Sequence, residues 1–131
     1  MSKPLAFIIE DDPRLSDVFS LALSMSNFAT ETAQGGQTAL TRLTEIIPAL
    51  IILDLHLPFV SGEEILRHIR IDERLKTVPV MLATADSRRA DYLREQAEIV
   101  LLKPISPMQL RELASRILSP EPGYVAPGRA E

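Results

Sequence analysis

Short unbroken apolar runs, each ending on a polar residue, alternate along this chain with stretches of helical periodicity. Phe7-Ile8-Ile9 runs into Glu10-Asp11-Asp12, and Leu50-Ile51-Ile52-Leu53 runs into Asp54. Val78-Pro79-Val80-Met81-Leu82 leads to Thr84, and Ile99-Val100-Leu101-Leu102 leads to Lys103-Pro104. A short continuous apolar run bounded by turn residues reads as a strand buried on both faces of a parallel sheet. Phe28 to Thr32 is a weaker strand candidate.

Helical spacing fills the gaps. Leu15, Val18, Phe19, Ala22 and Leu23 lie on one helical face, behind Asp12 as N-cap and Pro13 in the first turn. Gly35-Gly36 breaks the chain before a second helix carrying Leu40, Leu43 and Ile47. A third helix opens on the capping box Ser61 to Glu64 and turns Ile65, Leu66 and Ile69 toward the sheet. A fourth, Ser87 to Gln96, is mostly charged and has little apolar surface. The last starts at Ser106-Pro107 and carries Leu110, Leu113, Ala114, Ile117 and Leu118. Prolines and glycines from Ser119 onward forbid further regular structure, so residues 1–118 read as one domain and 119–131 as a tail. Uninterrupted alternation of strand and helix gives an α/β fold, (βα)₅, with a mostly parallel sheet.

Composition narrows the function. At 131 residues, 46% apolar and 24% charged, the chain has the makeup of a globular domain able to bury a core. A net charge of −4 and a pI near 5.2, with no basic stripe, give no electrostatic reason for nucleic-acid binding. Absence of cysteine excludes disulfides and thiolate metal sites and fits a cytoplasmic protein. The apolar stretch near the start, Leu5 to Ile9, is too short for a secretory signal or a membrane span.

In a parallel sheet the residues following the strands gather at one edge, where open α/β sheets bind ligands. Here that edge receives carboxylates, a hydroxyl and an ammonium. Glu10 and Asp11 would repel each other unless a cation lies between them, and Mg²⁺ favours such oxygen ligands. Asp12 is read as a helix cap. Asp54 can be a metal ligand, a nucleophile toward phosphorus, or both. Lys103 can neutralise a phosphoryl oxygen, and the proline after it suggests a fixed turn, of the kind in which cis bonds occur. Thr84 alone says little, and His68 reads as a solvated helix residue. For His56 only the backbone carbonyl is a candidate metal ligand.

These motifs, in this order and spacing, resemble the receiver domain of two-component response regulators over roughly residues 5 to 118. The matching pieces are Ile8-Ile9-Glu10-Asp11-Asp12, Pro48-Ala49-Leu50, Ile51 to Pro58 with Gly62, Val80 to Ala85, and Leu102-Lys103-Pro104. The resemblance implies a doubly wound, flavodoxin-like three-layer sandwich with strand order 2-1-3-4-5. It makes Asp54 the acceptor of a phosphoryl group from a sensor histidine kinase or phosphotransfer protein. It assigns Mg²⁺ to Glu10, Asp11, Asp54 and the His56 carbonyl, and the phosphoryl oxygens to Thr84 and Lys103. Such a chain is a regulatory phosphoacceptor rather than an enzyme acting on a separate substrate, with transfer and dephosphorylation catalysed by its own residues.

One position departs from the family. Three residues before the lysine, where an aromatic is usual, stands Val100; Gln96 and Ile99 replace a common glycine and acidic residue. Ile99 and Val100 should make the face of the fourth helix, fifth strand and fifth helix more apolar, suiting a downstream protein or a homodimer. Residues 119–131 are too few for an output domain, so output is expected through protein binding. A non-cycling pseudo-receiver is the alternative, supported by Val100 alone. An aspartate-nucleophile phosphatase would carry Asp-x-Asp after its first strand, where this chain has Glu10-Asp11-Asp12.

Overall fold

Each apolar run becomes a strand in the computed structural model, which describes residues 3–118. The strands are β1 Leu5–Ile9, β2 Ala29–Ala33, β3 Leu50–Asp54, β4 Val80–Thr84 and β5 Ile99–Leu102. The helices are α1 Pro13–Ser24, α2 Gly36–Leu43, α3 Gly62–Ile71, α4 Ser87–Leu93 and α5 Pro107–Leu118. All strand pairs are parallel, in the order β2-β1-β3-β4-β5. The segment 119–131, expected as a tail, lies outside the described residues.

The period of two along each strand splits the core between the two faces of the sheet. Phe7, Ile9, Ile51, Leu53, Val80 and Leu82 pack on one side against Leu43, Ile65, Leu66, Ile69 and Leu93 of α2, α3 and α4. Ala6, Ile8, Ile52, Met81 and Leu101 pack on the other against Phe19, Leu23, Leu110 and Ala114 of α1 and α5. Helices thus cover both faces of one sheet, the doubly wound three-layer arrangement.

Capping behaves as the sequence suggests at three helices. Asp12 accepts from the Arg14 amide at 2.9 Å, Ser61 from the Glu64 amide at 3.1 Å, and Ser106 from the Gln109 amide at 3.3 Å.

Several expectations need correction. The β5 run is not buried on both faces: it is an edge strand, Ile99 and Val100 are half-buried and Leu102 is exposed. Its apolar residues still pack, Ile99 against the α1/α5 side and Val100 against the other. The exposed apolar side chains on this flank are Tyr92 and Leu102 instead. Val18 and Leu118, placed on buried helical stripes, are exposed at the margins of α1 and α5. α2 stops at Leu43, where the Thr44 amide bonds back to Thr41, so Ile47 lies beyond the helix and is exposed. α4 stops at Leu93 and tightens into a 3₁₀ turn, Arg94–Gln96. Among the described residues no helix is long and apolar enough to cross a membrane.

Candidate functional site

Strand register assembles the site. Ile9 pairs with Leu53, Asp54 with Ala83, and Thr84 with Leu102. The residues at or just beyond these pairs, Glu10, Asp54, Thr84 and Lys103, therefore line the carboxyl edge of four adjacent strands. Glu10, Asp54 and Thr84 are buried, whereas Asp11 beside them is exposed.

Glu10, Asp11 and Asp54 each place a carboxylate oxygen within 4.8 Å of the others. Lys103 Nζ lies 3.1 Å from Glu10 Oε1 and 3.4 Å from Asp54 Oδ1, so one ammonium serves two buried acids. Backbone donors complete the set: the Asp12 amide donates to Glu10 Oε2 at 3.2 Å and the His56 amide to Asp54 Oδ1 at 3.0 Å. The cluster stays short of positive charge. Burial and the neighbouring Asp54 carboxylate push the Glu10 carboxyl up to about 7, against the pull of the Asp12 amide and Lys103. Burial would lower the Lys103 ammonium, but its hydrogen bond to Glu10 and the charges of Asp54 and Glu10 raise it overall.

An all-oxygen set of three acids, one of them solvent-exposed, fits a hard divalent cation that keeps waters in its shell. Mg²⁺ matches that donor chemistry.

Local backbone explains why Asp54 is held so firmly. The loop leaving β3 folds straight back, and the Gly62 amide donates to the Leu55 carbonyl at 3.3 Å. A β-carbon on Gly62 would stand 2.5 Å from the Asp54 carbonyl oxygen and 2.6 Å from Leu55 Cα, so only glycine closes this loop. At the loop's tip Phe59 adopts a left-handed backbone, φ 69°, and is fully exposed. On the far side the Lys103 amide donates to the Thr84 carbonyl, and the Lys103-Pro104 peptide is cis.

The sequence residues read as candidates come together; His68 is exposed on α3, away from these contacts. Sequence reasoning missed Asp86. It caps α4, accepting from the Arg88 and Arg89 amides, and its own amide donates to Thr84 Oγ1 at 3.0 Å. An Asp immediately before Ser87 was a usable N-cap signal. Arg89 was missed as well. It pairs with Glu63 of α3 at 2.6 Å and lies 3.5 Å from His56 Nδ1, contacts that only the tertiary fold creates.

Residues 6–115 match the family model of the response regulator receiver domain. The DNA-binding dual master transcriptional regulator RpaA of Synechocystis is 32% identical over 117 residues, 87% of this chain and 47% of its own length. The chain therefore spans about half the length of that relative. The signal receiver domain of a signal transduction histidine kinase from Syntrophus aciditrophicus superposes with a TM-score of 0.81 at 27% identity, covering 93% of this chain and 95% of its own. Chemotaxis response regulator CheY4 of Vibrio cholerae shares the fold, with a TM-score of 0.79 at 21% identity over 88% of this chain and 99% of its own. With its β2-β1-β3-β4-β5 sheet and its acidic edge, this chain belongs to the receiver domain family of two-component response regulators.

Proposed function

We propose that Asp54 accepts a phosphoryl group from a phosphohistidine of a sensor kinase or phosphotransfer protein, and that the modified domain signals by binding another protein in the cytoplasm. The observation that carries this is the convergence of Glu10, Asp54 and Lys103 within hydrogen-bonding range. An Asp54 carboxylate oxygen attacks phosphorus while the nitrogen–phosphorus bond of the donor breaks, its electron pair leaving with the imidazole. Glu10, Asp11, Asp54 and the His56 carbonyl would hold Mg²⁺, which supplies the positive charge that lets an anionic phosphoryl group approach three acids. Lys103 leaves its carboxylate partners for a phosphoryl oxygen, contributing a point charge. The Thr84 hydroxyl donates to another phosphoryl oxygen, and the His56 amide keeps Asp54 oriented. The same residues later serve attack of water on phosphorus, which breaks the bond to the Asp54 oxygen, releases inorganic phosphate and returns the carboxylate.

Acetyl phosphate with Mg²⁺ should place one base-labile phosphate on the protein, read as a single mass increment. Asp54→Asn should abolish it. Equal labelling of that variant would move the acceptor elsewhere, and no labelling of wild type would favour a non-cycling interaction module.

A further inference from the structure

Arg89 and Glu63 join α4 to α3 beside the acceptor, and the phosphoryl chemistry uses neither. Arg89 Nη2 lies 2.6 Å from Glu63 Oε1, and Arg89 Nη1 lies 3.5 Å from His56 Nδ1. The His56 amide is the donor that touches Asp54. Through its backbone the same arginine belongs to the first turn of α4, where its amide donates to the cap, Asp86 Oδ1, at 3.3 Å. That cap is tied in turn to Thr84 Oγ1. The first turn of α4 is therefore strung between two fixed points: the hydroxyl that would engage a phosphoryl group, and a carboxylate on α3. Elsewhere α4 is anchored in the core only by Ala90 and Leu93.

We propose that the Glu63–Arg89 pair is a latch that holds α4 in its unmodified position and so sets how readily Asp54 takes a phosphoryl group. This deepens the function proposed above and rests on Asp54 being the acceptor. When the Thr84 hydroxyl turns to a phosphoryl oxygen, the Asp86 amide bonded to it must follow or lose its partner. Asp86 carries the first turn of α4, so Arg89 is drawn away from Glu63. Whatever opposes that movement weakens the binding of any group that demands it, by the reciprocity of linked equilibria. Glu63 and Arg89 are thus positioning residues. They act on Asp54 through Thr84 and His56, at a flank where Val100 is too small and too stiff to signal by swinging between two positions.

The test titrates beryllofluoride, with Mg²⁺, into wild type, Glu63→Gln, Arg89→Gln and the double variant, by calorimetry. A partly exposed ion pair holding the latch predicts about two- to fivefold tighter binding in each single variant. The double variant should be no tighter than either single change, because one latch cannot be opened twice. Labelling by acetyl phosphate should accelerate in the same order, and Arg89→Lys should stay near wild type. Simple electrostatics predicts the opposite for one partner: losing Glu63 charge would help an anion bind, whereas losing Arg89 charge would hinder it. Tighter binding by Glu63→Gln with weaker binding by Arg89→Gln would overturn the latch, as would no change in either. Wild type that neither binds beryllofluoride nor labels would overturn the acceptor reading itself, a failure visible without any variant.

Discussion

The two halves of the carboxyl edge are built on opposite principles. Around β1 and β3 the site is buried and tightly constrained: Glu10 and Asp54 are 1% exposed, and Gly62 packs onto the Asp54 backbone with no room for a methyl group. Around α4 and β5 it is loosely anchored: α4 has seven residues, two of them buried, and β5 is a half-covered edge strand. A short helix with few apolar anchors sits near the low end of local stability. Glu10 and Asp54 are held on the stiff half, and any movement has the soft half available to it.

The largest effect that tests this contrast comes from Gly62→Ala. The added carbon meets backbone atoms that cannot step aside, so the loss should be about 4 kcal/mol, beyond ordinary overpacking. Urea unfolding would measure it; a loss below about 1 kcal/mol would show that the β3 side is as yielding as α4.

The second test is titration of the protein in chelator. Glu10 is protonated more readily folded than unfolded, with its carboxyl raised from 4.5 to about 7. The folded state therefore binds more protons across that window, and stability falls as pH rises from about 4.5 to about 7. At about 1.4 kcal/mol per pH unit the total is roughly 3 kcal/mol. Glu10→Gln should flatten the curve over that range; an unchanged slope would mean that Glu10 is not the group under stress.

Metal should relieve the same repulsion. Millimolar Mg²⁺ at a hundredfold excess over Kd should add about 2.7 kcal/mol to wild type, seen as a raised melting midpoint. Asp11→Ala should respond far less. If it responds equally, Asp11 is a solvated acid and not a ligand.

The smallest effect belongs to the soft half. Asp86→Ala removes the α4 cap and should cost about 1 kcal/mol. Amide exchange should then quicken in residues 87–96 while β1 and β3 stay protected. Uniform loss of protection would erase the distinction between the halves.

What the sequence made legible follows the same line. β1, β3 and β4 are covered on both faces, so their residues had to be apolar without interruption, and the polar residue at each end stood out. Register in a parallel sheet then placed Glu10, Asp54, Thr84 and Lys103 together with no further information. β2 was weak in sequence because Ala29–Ala33 is an edge strand whose Thr30 and Glu31 are only half-buried and bond to Ser20 and Arg42. β5 misled in the other direction: an apolar run shows that a strand tolerates cover, not how much its neighbours supply. Val18 and Ile47 fit helical spacing, yet spacing alone cannot say where a helix stops or how wide its covered stripe is. The Glu63–Arg89 contact spans 26 residues between two helices and has no local signature.

One contact described above also bears on when the acceptor can work. The Lys103–Glu10 hydrogen bond joins residues 93 positions apart, from the end of the first strand to the end of the last. During synthesis from the N-terminus, Asp54 is made well before the ammonium that shares its carboxylate, and β4 with Thr84 also follows it. A nascent or partly folded chain thus carries the Asp54 carboxylate without the Lys103 ammonium and the Thr84 hydroxyl. Contacts of such separation form late, after loop-closure entropy has been overcome. If Asp54 is the acceptor proposed above, competence to receive a phosphoryl group is in this way tied to completion of the sheet.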